Sequence, residues 1–301
     1  MKGVYAAIVT HFDADLAVDH DAVAADVSRL IDGGIHGILP NGTVGEGGSL
    51  TREERRAVIE TCVDAASGQV PVCAGVSAAT AGQAAEYARD ARAAGAESVM
   101  ALPPLLYRAD RRELLEFFGS VAREAELPLM IYNNPQSSGS DLEPELLADL
   151  AGEVPGIAAI KETSGDARRI AHLVNLCPDV DIMVGGDDWA LEGFCAGAVG
   201  WVSGVVDVFP AEAVRLWDLC QTGELPAARA LYARLLPLAR LDMTPKLVQY
   251  FKAALDELGV GGGPCRPPRL PLTDEELATL REAVAQGALA GNQTHRWPAA
   301  V

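Results

Sequence analysis

Lysine is scarce in this chain. Of 301 residues only Lys2, Lys161, Lys246 and Lys252 are lysines, and arginine carries the rest of the basic charge. The basic total is also small, with 24 Lys and Arg against 42 Asp and Glu, a formal charge of −18. Such a surface repels phosphate backbones and anionic lipid, so no nucleic-acid or membrane-surface role is expected. No stretch offers about 18 uninterrupted apolar residues, so no transmembrane helix is expected. The opening "MKGVYAAIVTHFD" lacks the length and cleavage pattern of a secretion signal. The six cysteines, at 62, 73, 177, 195, 220 and 265, contain no CxxC pair. The five histidines, at 11, 20, 36, 172 and 295, contain no HxxxH or HxH pair. Neither a disulfide framework nor a metal site is therefore indicated. The cysteines read as reduced and mostly buried, and the protein as cytoplasmic.

What is present is a long series of apolar runs of strand length. They lie at 4–10, 36–40, 70–76, 98–103, 128–132, 157–161, 181–186 and 200–204. Each is nearly continuous rather than alternating, which suits strands buried on both faces of a parallel sheet. Helical segments separate them. "TREERRAVIETCVDAA" opens on Thr51 with Glu54 three residues on, a capping box. "TAGQAAEYARDARAAG" has Thr80 at its start and Gly95 at its end, a cap on each side. "DRRELLEFFGSVAREA" carries an apolar stripe of Leu114, Leu115, Phe117, Phe118 and Val121.

Eight strands alternating with helices predict an α/β fold, a (β/α)8 TIM barrel, over residues 1–207. A doubly wound sheet is the alternative, but "HFDADL" after the first strand is not the glycine-rich turn that fold uses. Beyond 207 the strand signal fades. Four helical segments predict a C-terminal helical domain over 208–288, with a glycine- and proline-rich connection at 259–271. Residues 289–301 read as a flexible tail.

A barrel carries its active site at the C-terminal ends of its strands. Lys161, in "GIAAIKETSG", is the single lysine at any of these ends. The apolar strand behind it would strip water from the ammonium and favour the free amine that attacks a carbonyl. A solvated or ion-paired strand-end lysine is the competing reading. Tyr132 ends the neighbouring strand, where a phenol can relay protons, or simply pack at the barrel rim. "NGTVGEGG" (41–48) presents free backbone N–H groups that can cradle a carboxylate, and it is neither a Walker nor a GxGxxG sequence. Asp187 and Asp188 fit a helix start, and Glu46 a brace within its own loop.

"GTVGE", "YNNP", "IKETSGD" and "GGDD" occur in that order, and together they resemble the dihydrodipicolinate synthase / N-acetylneuraminate lyase family, the pyruvate-type class I aldolases. The likeness covers nearly the whole chain. It implies a Schiff base between Lys161 and the keto carbon of a small 2-oxo acid, with Tyr132 as proton relay and no cofactor. It implies that Thr43 helps hold the substrate carboxylate beside Val44, with Gly186 and Val202 near the keto acid. A homo-oligomer, tetramer or dimer, is also implied. Three segments depart from the synthases of the family. Val44 replaces a relay threonine, Ser137 replaces an arginine for the substrate carboxylate, and Leu105 and Leu106 replace a tyrosine pair, with Tyr107 one place later. These departures point to a lyase on pyruvate or another 2-oxo acid rather than a true synthase. A dehydratase or deaminase of a sugar- or hydroxyproline-derived acid is a second reading, and a non-catalytic oxo-acid-binding relative a third.

Overall fold

Runs such as "VYA" and "IAAIK" have no polar face to turn to water, so they form strands only where both faces are covered. A computed structural model of the chain, which describes residues 1–291, has eight of them. These are β1 (Gly3–Ala6), β2 (Gly37–Ile38), β3 (Cys73–Gly75) and β4 (Ser98–Ala101), followed by β5 (Leu129–Asn133), β6 (Ile157–Glu162), β7 (Asp181–Val184) and β8 (Gly200–Ser203). All pairs are parallel, in the order β2-β1-β8-β7-β6-β5-β4-β3. The two outer strands meet through a single parallel bridge between Ile38 and Val72, with the Ile38 N–H donating to the Pro71 carbonyl at 3.0 Å. That contact brings the ends of the sheet together as a barrel.

Several strands are shorter than their apolar runs. β1 ends at Ala6 rather than Thr10 because the chain beyond leaves the ladder: the Val9 N–H donates to the buried Asp207 carboxylate at 2.7 Å. Just after β2 and just before β3, Pro40 and Pro71 lack the N–H a ladder needs, and the pairing is confined to two and three residues. Apolar character thus reports burial here, and hydrogen-bonding partners set the ends.

The intervening helices cover the outside of the barrel. Arg52–Ala66 has the capping box of Thr51 and Glu54, and Ala81–Ala93 has Thr80 as N-cap. Arg111–Ala125 carries a second box, Asp110 with Glu113, and buries Leu114, Phe117, Phe118 and Val121. Each such cap contributes about 1 kcal/mol. After β8 come a short turn of helix, Val205–Val208, and the helices Pro210–Gln221, Leu225–Asp242, Leu247–Glu257 and Asp274–Gly291. The last runs through Gly291, so residues 289–291 of the expected tail are helical; residues 292–301 lie outside the described residues. Among the described residues no helix is long and apolar enough to cross a membrane.

The glycine- and proline-rich connection is irregular, as its composition predicts, and it is tightly held. Arg266 donates to both carboxylate oxygens of Glu54 (2.5 and 2.7 Å) and to the carbonyls of Leu16 and Ser49. Glu46 is buried and pairs with Lys252 at 2.9 Å and Arg269 at 3.3 Å. Lys252, itself buried, also donates to the Pro264 carbonyl at 2.6 Å. A buried charge is tolerable only when so partnered. Glu46 thus anchors the loop after β2 to the chain beyond the barrel.

Candidate active site

A cavity of about 300 Å³ opens at the C-terminal ends of the strands. Ala7, Leu39, Met100, Tyr132, Lys161, Gly185 and Val202 line its wall, at or just past the strand ends. The loop after β2 contributes Gly42, Thr43 and Val44. Asp242, Met243, Thr244, Pro245 and Leu247, between two of the later helices, complete the lining.

β5 and β6 pair in register, with Tyr132 opposite Lys161. Strand alternation therefore puts the two side chains on one face. The Lys161 Nζ lies 4.1 Å from the centroid of the Tyr132 ring, and both residues are buried. The next residues on these strands, Asn133 and Glu162, form their own pair: Asn133 donates to the Glu162 carboxylate at 2.9 Å. Burial pushes that carboxyl up from its ordinary range.

Lys161 differs from the other described lysines of the helical region. Lys246 pairs with Glu276 at 2.6 Å and Lys252 with Glu46 at 2.9 Å. Lys161 forms no salt bridge among the described residues, and its Nζ lies over the Tyr132 ring. The ion-paired reading of this lysine is thereby set aside, as is the solvated one, since Lys161 is 5% exposed.

The hydroxyl of Tyr132 has a defined role in hydrogen bonding. Asn134 caps the short helix Pro135–Ser138, its Oδ1 accepting from the Ser137 N–H at 3.0 Å. Its Nδ2 is thereby turned to the Tyr132 oxygen and donates to it at 2.7 Å. A phenol oxygen that accepts from Asn134 keeps its own proton free to donate. "YNNP" carried this contact in plain view, but nothing in the sequence distinguishes a capping asparagine from one that also grips a neighbour.

The loop after β2 turns through left-handed residues at Asn41 (φ 60°) and Glu46 (φ 50°). The backbone N–H groups of Thr43 and Val44 have no hydrogen-bond partner among the described residues, and both residues line the cavity. Two adjacent free N–H groups form an anion-binding concavity.

The residue just past β7, Gly185, must be a glycine. A Cβ there would sit 1.8 Å from the Thr163 Oγ1 and 2.8 Å from the Lys161 Cε. Its absence gives the lysine and Thr163 their room. The Thr163 hydroxyl is buried in the cavity wall without a partner.

Of the six residues singled out from the sequence, Lys161, Tyr132, Thr43, Val44 and Val202 line one cavity. Gly186 does not: its Cα faces the Trp189 indole, which a Cβ would meet at 2.1 Å, and Gly185 stands at the cavity in its place. Ser137 also lines the cavity. Tyr107 lies outside it, half exposed beside Pro104 and Phe117, and Leu106 is 93% exposed.

Asp187 does not cap its own helix. Its carboxylate accepts from the Trp201 indole N–H at 3.0 Å and the Val205 N–H at 2.9 Å, so it caps the turn after β8. Burial pushes it up to about 6, with these donors and the charge of Lys161 opposing. Asp242 lies beside it and accepts the Asp187 backbone N–H. Burial, and then the charge of Asp187, push the Asp242 carboxyl well up. Sequence reading missed Asp242 altogether, because it belongs to a helix end far along the chain.

A model of the dihydrodipicolinate synthetase family matches residues 1–287. The chain is 36% identical over 290 residues to the 4-hydroxy-tetrahydrodipicolinate synthase of Methanothrix thermoacetophila, covering 95% of this chain and 96% of that protein. It is 34% identical over 286 residues to an uncharacterized DapA-like lyase of Halobacterium salinarum, covering 95% and 93%. The crystal structure of dihydrodipicolinate synthase from Agrobacterium tumefaciens superposes with a TM-score of 0.88 at 32% identity, covering 95% of this chain and 98% of that one.

Proposed function

The chain belongs to the dihydrodipicolinate synthetase family, and on that premise we propose that it is a Schiff-base-forming lyase acting on pyruvate or another 2-oxo acid. The observation that carries this reading is Lys161: buried, without a salt bridge, and over the ring of a tyrosine whose hydroxyl is held by Asn134.

The amine of Lys161 adds to the keto carbon, and loss of water leaves an iminium. The Tyr132 hydroxyl gives and takes the protons of these steps. The substrate carboxylate sits on the free N–H groups of Thr43 and Val44, with the Thr43 hydroxyl beside them and Val202 along the keto acid. Gly186 contributes by shaping the turn through Gly185. When the C3–C4 bond, β to the iminium, breaks, the C4 hydroxyl loses its proton and that half leaves as an aldehyde; the bond electrons pass into the enamine, which is then protonated at C3 and hydrolysed by water to free the amine and the 2-oxo acid. The lysine adduct is the electron sink, so the step needs no cofactor.

The same adduct serves a dehydratase or deaminase: loss of a C3 proton gives the enamine, which expels the C4 hydroxyl or amino group, protonated as it leaves as water or ammonia. Ser137 and Val44 line the cavity where the synthases of the family carry an arginine and a threonine, which favours a reaction other than dihydrodipicolinate synthesis. A relative that only binds oxo acids has no use for a buried, unpaired lysine. The working unit is a homo-oligomer in the cytoplasm, built of a barrel over 1–207 and a helical unit over 208–288.

The test is a screen of 2-oxo acids for release of pyruvate or ammonia, and for a dehydrated product by mass spectrometry. The activity found in the wild type is expected to vanish in Lys161→Ala; retention of that activity by the variant would overturn the mechanism.

A further inference from the structure

The loop that offers the free N–H groups of Thr43 and Val44 is gripped by one buried side chain. Arg55 belongs to the helix Arg52–Ala66 and is 4% exposed. Its Nη1 donates to the Gly47 carbonyl, and its Nη2 donates to the Gly75 carbonyl at 2.6 Å. Its own carbonyl accepts from the Asn41 Nδ2 at 2.9 Å. One residue thus ties together the start of the loop, the end of the loop and the end of β3. The packing leaves little slack: a Cβ at Gly47 would sit 2.2 Å from the Asn41 carbonyl oxygen, and one at Gly75 would sit 2.5 Å from the same atom.

Arg55 also carries a charge that a clamp does not require. It forms no salt bridge among the described residues, and its acceptors are neutral carbonyls. Its guanidinium lies 4.2 Å from the centroid of the Tyr87 ring, and Tyr87 is the one titratable group that acts on it. Burial pulls it down to about 10, so it stays protonated at neutral pH. Glu46, the acid within the loop, is already shared by Lys252 and Arg269. A buried cation without a counter-ion is costly, and an anion held on the loop would offset that cost. The cavity lining contains no arginine or histidine, and its one basic group, Lys161, is taken up by the keto carbon.

We propose that Arg55 is a positioning residue for the substrate carboxylate: it fixes the loop of Thr43 and Val44, and its unpaired charge favours an anion there. The inference rests on the reading of that loop as the seat of the carboxylate of a 2-oxo acid.

The experiment compares two variants that separate charge from hydrogen bonding, on the full chain with pyruvate. R55K keeps the charge and loses the fork that spans two carbonyls; R55Q keeps amide donors and loses the charge. The half-saturating pyruvate concentration and the limiting rate of borohydride trapping are measured for each, and a urea midpoint confirms the fold. In R55Q the half-saturating concentration is expected to rise roughly tenfold, the scale of one hydrogen bond to a charged group. The limiting rate is expected to change less than about twofold, because ground-state binding is what is lost. R55K is expected to stay within about threefold of the wild type, since the cation remains. An unchanged half-saturation in R55Q, a loss confined to the limiting rate, or an R55K as weak as R55Q overturns the proposal. If R55Q does not fold, R55K decides alone: affinity within that range supports the proposal and a larger loss overturns it. If the wild type forms no adduct, the lyase reading fails instead. The thermal shift given by pyruvate then decides the Arg55 inference: it stands if R55Q loses a wild-type shift and falls if the two proteins agree.

Discussion

The Nδ2 of Asn134 donates to the Tyr132 hydroxyl oxygen at 2.7 Å, while the other end of the same amide caps a helix turn. The cap fixes the amide, and the amide fixes the phenol. Removing the amide by Asn134→Ala leaves the Tyr132 oxygen with a spare lone pair and a freer rotor. The expected outcome is a kcat lower by roughly tenfold, with KM changed far less, since proton transfer and not binding is disturbed. Steady-state kinetics on the substrate found by the screen check this. A change confined to KM would assign Asn134 to binding instead.

Gly185→Ala tests the close packing around the lysine. The added Cβ meets the Thr163 hydroxyl and the Lys161 side chain, and overpacking of this kind destabilises by about 1–3 kcal/mol. The urea midpoint should fall, and trapping at Lys161 should slow as well. A stable variant with normal trapping would show that the strand end yields more than its geometry implies.

Asp187 gives a pH dependence with a definite sign. Its folded pKa is raised to about 6 by burial, so the folded state holds a proton that the unfolded chain releases at lower pH. The stability this contributes is complete below the ordinary aspartate range and is lost as pH rises through about 6. Asp242 shifts in the same direction. Asp187→Asn removes the titration, and the asparagine cannot accept from both Trp201 and Val205 as well as the carboxylate does. The variant is therefore less stable throughout, and its deficit against the wild type is expected to be larger at pH 4.5 than at pH 7.5. Urea denaturation at the two pH values measures it. A deficit that grows with pH would contradict the assignment.

How much of this was legible in advance depends on what each residue answers to. Lys161 and Tyr132 stood out because a polar residue at the end of an apolar strand needs a reason, and neighbouring strands in sequence became neighbours in space. The eight strands were legible for the same reason, but not their ends: β1 stops at Ala6 because of Asp207, two hundred residues away. Gly186 was placed at the site by the resemblance to the family's glycine-acid turn; the positions of the Lys161 and Trp189 side chains separate Gly185 from Gly186. Asp242 was invisible because "ARLDMTPK" reads as an ordinary helix end. Its meaning comes from the docking of that helix against Asp187 through Tyr232.

Val44 and Ser137 lead to a prediction about substrate. With no hydroxyl at one and no guanidinium at the other, pyruvate plus aspartate semialdehyde should give little or no condensation product. The coupled assay for dihydrodipicolinate formation measures this directly. Efficient condensation would remove the significance given to both residues.

Lys161 is expected to form a covalent bond with a 2-oxo acid. Borohydride added to the protein with pyruvate should reduce the adduct in place, and mass spectrometry of the digested protein should find the modification on the peptide carrying Lys161. It should be absent without pyruvate and absent in Lys161→Ala. An unmodified Lys161, or a modification on Lys246 or Lys252 instead, would contradict the account.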